Sequence, residues 1–241
     1  MMKKKAIFMS VLLLLFSAVS CGEKKSDSDT AAEATTVAEE TTEAQADITS
    51  EADTEDDVEE FDPIEGTAFK KGKIEGNVYT SEYAGIKFTL PEGVEFMDSA
   101  ELDEMVQQAI EATTGQDKKQ LMAKVTDAEV YDPETMTLID IGFNNITKLH
   151  PDNTDMTPEE FLEEDVVSPV RQLDVNITEP EKVTLGGREF VKVKISEKAD
   201  EGTYQNLYAS RVDDDFILFI AALPGKIGDE AAFEGCFEAI G

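Results

Sequence analysis

Apolar and polar positions divide the chain into three regimes. Residues 6–19 form an apolar stretch broken only by Ser10 and Ser17. Residues 22–62 hold only Val37, Ile48, Val58 and Phe61 as large apolar side chains, at neither helical nor alternating spacing. From residue 63 onward, apolar residues recur with the periods of regular structure, two for strands and 3.6 for helices.

Val78-Tyr79-Thr80 leads through Glu82-Tyr83-Ala84-Gly85 to Ile86-Lys87-Phe88-Thr89-Leu90, a predicted hairpin stopped by Pro91-Glu92-Gly93. Asp98, with Glu101 three residues on, predicts a capping box for the helix that follows. Leu102, Met105, Val106, Ala109 and Ile110 give that helix one apolar face, and Gly115 is its expected stop. Residues Thr137 to Asn144 read as a strand, with Ile139, Ile141 and Phe143 on one side and Asp140 and Gly142 on the other. Thr157-Pro158-Glu159-Glu160 opens a second helix with cap, N1 proline and N3 glutamate in agreement. Met156 and Phe161 are spaced for a hydrophobic staple across that start, and Pro169 should kink or end the helix near Val167. Two further hairpins are predicted, one turning at Gly186-Gly187 and one at Asp213-Asp214-Asp215. Asp229 to Ile240 reads as a closing helix that buries Phe233, Cys236, Phe237 and Ile240. Strands outnumber helices and are mostly hairpin-joined, which predicts an α+β domain with a largely antiparallel sheet.

The amino-terminal regimes carry targeting information. Lys3, Lys4 and Lys5 precede an apolar run shorter than the roughly 20 residues that span a bilayer, the pattern of a secretory signal peptide. Ala18-Val19-Ser20-Cys21 resembles the lipobox of bacterial lipoproteins, with Ala18 where leucine is commoner. The resemblance implies that Cys21 receives lipid and becomes the first residue of the mature chain. The expected organisation is a lipoprotein signal peptide over 1–20, a lipidated tether over 21–62 and a single globular domain over 63–241. Residues 22–62 hold 16 acidic side chains against Lys24 and Lys25, with too little apolar surface to offset the entropy of ordering, so this acidic linker is expected to be disordered. A flexible chain of that length spans on the order of 35 Å, enough to hold a domain clear of the lipid.

A second resemblance lies in the domain. Tyr79-Thr80-Ser81, Gly85-Ile86-Lys87-Phe88 and Leu90-Pro91-Glu92-Gly93 resemble the opening of PsbP-like domains, with Val94 where tryptophan is often found. The Tyr204–Ala222 hairpin and the chain end are similar to that family's close. The resemblance covers about residues 74–241 and implies an α-β-α sandwich around an antiparallel sheet, in a family of accessory and binding proteins. The order of lipobox, acidic linker and small domain is similar to lipoproteins of anaerobic firmicutes.

Charge narrows the partners. The chain carries 53 acidic and 21 basic residues, a net −32, which repels nucleic acid. With Cys21 lipidated, Cys236 is the one remaining thiol and no intramolecular disulfide forms. His150, in Leu149-His150-Pro151-Asp152, reads as a surface histidine rather than a member of a Ser-His-Asp or Cys-His set. Cys236 reads as a core thiol, since burial raises its pKa and blocks access. Asp152 and Asp155 with Asn153 lack metal-ligand spacing, and Asp213-Asp214-Asp215 reads as a solvated turn. Tyr79, Tyr83, Tyr204 and Tyr208 are candidates for a ligand surface or for cross-strand pairs.

The expectation is therefore a membrane-anchored lipoprotein on the extracytoplasmic face of the cell, a binding or accessory module for a protein or polymer of the envelope. No cofactor, metal or catalytic residue is expected. The alternatives are a carboxylate-based cell-wall hydrolase and, behind it, a solute-capturing lipoprotein of a transporter.

Overall fold

The computed structural model describes residues 60–240, so the expected signal peptide, Cys21 and nearly all of the expected tether lie outside the described residues. The domain begins with a small antiparallel sheet. Strands β1 (Lys73–Glu75), β2 (Val78–Ser81) and β3 (Ile86–Thr89) lie in the order β1-β2-β3-β11, closed by β11 (Phe237–Ala239) from the chain end. The hairpin predicted at Val78–Leu90 is β2–β3, with Tyr79 opposite Phe88. Strand β1 is three residues long, too short for alternation to reveal it in the sequence.

Helix α1 (Ser99–Ala112) starts on Asp98, whose carboxylate accepts the Ala100 N–H. Its end departs from expectation. Thr113 is the C-cap, and Gly115, at φ +61°, opens a second helix, α2 (Gly115–Ala123), instead of stopping the first.

The large sheet follows. Strands β4 (Lys124–Asp132) and β5 (Thr137–Asn145) pair antiparallel, and β5 continues onto β10 (Phe216–Leu223), β9 (Asp200–Arg211) and β8 (Arg188–Glu197). Strands β6 (Val175–Ile177) and β7 (Glu181–Leu185) both pair along the outer edge of β8, at its two ends. Pro180 sits between them, where a residue without an N–H interrupts the ladder at no cost to a central strand. Every described pairing in both sheets is antiparallel. The α+β class with a largely antiparallel sheet is what the sequence predicts.

Strand β10 shows why the domain has two cores. Its Phe-Ile-Leu-Phe-Ile-Ala-Ala-Leu run is buried on both faces, so side chains of alternate parity enter different layers. Phe216, Leu218, Ile220 and Ala222 join Ile139, Ile141 and Phe143 of β5 in a core capped by the small sheet and by Phe233 of α5 (Glu230–Glu234). Ile217, Phe219 and Ala221 face the opposite way, onto the short helix α3 (Ile146–Leu149) and the helical stretch α4 (158–170). Helical elements thus lie on both faces of the large sheet, joined on one of them by the second sheet.

That helical stretch is built as its cap predicts. Thr157 accepts the Glu160 N–H, and Glu160 returns the bond to the Thr157 N–H at 2.8 Å. Met156 and Phe161 are both buried in the second core. The turn Pro158–Phe161 widens into a π-helix over Leu162–Val167 before a last turn at Ser168–Val170. Pro169 has no N–H to return to a carbonyl one turn back, and the widened stretch precedes it, so the helix swells ahead of the proline instead of ending there.

The closing helix predicted over Asp229–Ile240 is corrected. Helix α5 spans only Glu230–Glu234, and the chain reverses at Gly235 into β11. Phe237 pairs opposite Phe88 and the Thr89 N–H bonds the Cys236 carbonyl, so the free edge of β3 captures residues that helical spacing would have kept on α5. Phe233 and Phe237 still meet, rings 5.4 Å apart, but across a chain reversal. Ile240 is left exposed.

Candidate functional site

Among the described residues, four polar clusters and two of the grooves are candidate places for chemistry or binding. The first cluster starts from a fault in a strand. The β4–β5 register shifts between Thr126 and Ala128, and this bulge releases Asp127 from the ladder. Its carboxylate accepts the Tyr79 hydroxyl at 2.6 Å and the Gly72 N–H at 2.8 Å. Burial, and then the Asp127 charge and hydrogen bond, push the Tyr79 pKa well above its ordinary range, so this tyrosine acts as a fixed donor. Burial also raises the Asp127 pKa, against the Tyr79 and Gly72 bonds that lower it. A Cβ on Gly72 would stand 2.5 Å from the Tyr79 ring, so the approach requires glycine. The cluster ties the segment entering the domain to the large sheet.

The second cluster is the least expected. Glu129 of β4 lies opposite Asp140 of β5, so two carboxylates share one face of the sheet, 5% and 0% exposed. Lys124 runs over Gly142 to pair with Asp140, and a Cβ on Gly142 would meet the lysine Cε at 2.6 Å. One oxygen each of Glu129 and Asp140 lacks a hydrogen-bond partner. Burial, and secondarily the Asp140 charge, push Glu129 up to about 7 despite Lys124. Burial likewise raises Asp140, against the lowering pull of Lys124.

The third cluster fastens α5 to the sheet. Lys192 of β8, almost wholly buried, contacts Glu181 at 2.8 Å, Glu230, and Glu234 at 3.3 Å. Burial works against its charge, yet the bonds to Glu181 and Glu230 hold its pKa above the ordinary lysine value. Tyr208 donates to Glu234 at 3.2 Å, and the Lys194 ammonium lies 4.5 Å from the Tyr204 ring centre. In the fourth, His150 Nε2 is 2.7 Å from Asp165 of the π-helix, which corrects the surface reading of the histidine. The extra residue of the π-turn and its re-aimed carboxylate are invisible to a pattern of period 3.6.

The other residues singled out in the sequence serve the fold. Asp213 accepts the Asp215 and Phe216 N–H groups and the Tyr83 hydroxyl, and Asp215 accepts from Thr147, so the acidic turn is a built corner rather than a solvated one. Cys236 is half-buried, its thiol 3.3 Å from the Ala232 carbonyl and its pKa raised by burial. Asp152 and Asp155 are exposed in a loop. Of the four tyrosines, Tyr79 and Tyr208 are buried, while Tyr83 stacks in a cluster with Phe69, Phe143 and Phe216. Sequence reasoning missed Lys124 and Glu129 altogether. No clear signal was available, because Glu129 and Asp140 lie on the strand faces opposite Ala128, Val130, Ile139, Ile141 and Phe143, where charged residues read as solvent-facing.

The grooves are different in kind. One, about 710 Å³, runs between the β1–β2 turn and the Pro91–Ser99 segment, with Ile74, Val94 and Phe96 among its lining and Glu92 and Glu95 at its side. Lys226 braces its wall through the Gly93 carbonyl at 2.7 Å. The other, about 410 Å³, lies between α1, the start of β4 and residues 60–64. Phe61, Ile64, Val106, Ile110, Met122 and Val125 give it an apolar lining. Asn145 holds this entry segment through the Pro63 carbonyl at 2.7 Å. The carboxylates with raised pKa, Asp127, Glu129, Asp140 and Asp165, line neither groove.

No protein-family model matches the chain, and no curated protein matches it. Among solved structures the chain is similar to the solution structure of cyanobacterial PsbP (CyanoP) from Synechocystis sp. PCC 6803. The two are 12% identical with a TM-score of 0.36, over 73% of this chain and 98% of that one.

Proposed function

We propose that this protein is a binding or accessory module held on the extracytoplasmic face of the cell membrane by lipid on Cys21. The lipobox-like Ala18-Val19-Ser20-Cys21 and the acidic stretch over 22–62 support the anchoring part of this reading. The binding part rests on one observation, the uncovered apolar side of α1. Its sequence presents Leu102, Met105, Val106, Ala109 and Ile110 on one side, yet only Leu102 is buried and Met105 stays 38% exposed. A helix inside a self-sufficient domain normally covers that stripe. Two members of that stripe, the half-buried Val106 and Ile110, line an open groove beside the point where the tether meets the domain. A surface of this shape suits a segment of another macromolecule better than a small substrate, which is held in a concave site that encloses it.

Site-directed photocrosslinking in intact cells tests this. A photoreactive residue at Gln107, exposed and lining the groove, should give a discrete higher-mass adduct. The same residue at Thr184, exposed on β7 at the far sheet edge, should not. Equal adduct patterns from both positions, or none from either, contradict the reading.

A further inference from the structure

Resting on that reading, we propose that the groove beside α1 receives a cationic amphipathic helix from a partner protein. Three observations select this occupant. The first is shape. Helix α1 lines the groove from Asp103 to Ile110, about 11 Å at 1.5 Å per residue, enough for two turns of a helix laid against it. Val106 and Ile110, one turn apart, face Phe61, Ile64 and Met122 across the groove, a trough for anchors at i, i+3, i+4 and i+7.

The second is charge. From Glu92 to Asp117 the chain holds eight acidic residues and no lysine or arginine. This stretch supplies α1 and its approach. Of the two lysines that line the groove, Lys71 pairs with the lining residue Asp103 at 3.3 Å and Lys124 with buried Asp140. Glu104 and Glu111, two turns apart, are exposed on one side of α1 next to the lining positions Asp103 and Ile110, so they border a bound helix along that side. Cationic flanks on the ligand would be drawn in and steered by this rim.

The third is the exclusion of rival occupants by the same field. A second copy of a chain with net charge −32 brings like charge to like, and an anionic lipid or wall polymer does the same. A partner with basic side chains around an apolar stripe satisfies both the lining and the rim.

The full chain in detergent, titrated against a labelled 18-residue peptide, tests the assignment. The peptide carries leucine at i, i+3, i+4 and i+7 spacing and lysine elsewhere. Its control has the same composition with the leucines alternating. Fluorescence anisotropy should give at least tenfold tighter binding for the helical order. Val106→Ser with Ile110→Ser should remove that preference. Glu104→Lys with Glu111→Lys, at exposed positions that leave folding intact, should weaken the helical peptide at least fivefold. Equal affinity for the two peptides, or helical-peptide affinity unmoved by the Glu104/Glu111 pair, overturns the assignment. Such a result leaves a discrete adduct at Gln107 standing, so the groove's occupant and the binding-module reading fail separately.

Discussion

Replacing Lys124 with methionine is expected to destabilise the domain by roughly 3–5 kcal/mol at pH 8, the range for removing one partner of a buried ion pair. Asp140 has no exposure, and Lys124 is its charge partner in a site that also holds Glu129. Methionine matches the lysine stem, so the packing over Gly142 survives while the charge disappears. The loss should shrink toward pH 5, because burial already raises both carboxyls and without Lys124 they protonate more readily. Urea denaturation at the two pH values measures it, with a fall in Tm of about 10 °C at pH 8 for a domain of this size. A loss under about 1 kcal/mol at pH 8 would mean that the pair is solvated.

Glu129 itself makes the domain sensitive to pH near neutrality. Its folded pKa of about 7 stands above the ordinary value of 4.5. The unfolded chain therefore releases this proton first, and stability from the neutral form is full below pH 4.5 and lost as pH rises through 7. The gap of about 2.5 units corresponds to roughly 3 kcal/mol at 1.36 kcal/mol per unit. Glu129→Gln keeps the shape and removes the titration, and its amide can donate toward the Asp140 oxygen that lacks a partner. The variant should match the native protein near pH 4.5 and exceed it by roughly 3 kcal/mol at pH 8. A difference that does not change with pH would refute the assignment. Glu129 lines neither groove, so its variant separates the fold's own electrostatics from the binding surface, whereas Lys124 also lines the groove beside α1.

Features fixed within a few residues were readable in the sequence. The Thr157 box, the Gly186-Gly187 turn and the alternation of Ile139, Ile141 and Phe143 each rest on local geometry. Glycines at φ +55° and +80° make that turn whatever lies around it. What escaped was decided by partners distant in sequence. Strand β4 went unseen because its bulge at Asp127 breaks the period of two, and the bulge serves Gly72 and Tyr79 some 50 residues away. Residues 237–239 carry helical spacing but face the free edge of β3, and ladder bonds to a central strand outweigh a weak helical preference. His150 reads as a loop residue until the π-helix brings Asp165 to it. The groove was half legible. The apolar side of α1 is plain in the sequence, but that the fold leaves it open is a property of the packed domain.

Membrane anchoring at Cys21 is the premise on which the accessory-module reading stands. Cells expressing the full-length protein, fed a radiolabelled palmitate, should incorporate label into the wild type and not into Cys21→Ser, with the labelled form in the membrane fraction. Equal label in the two proteins, or an unlabelled wild type free of the membrane, contradicts the anchored module.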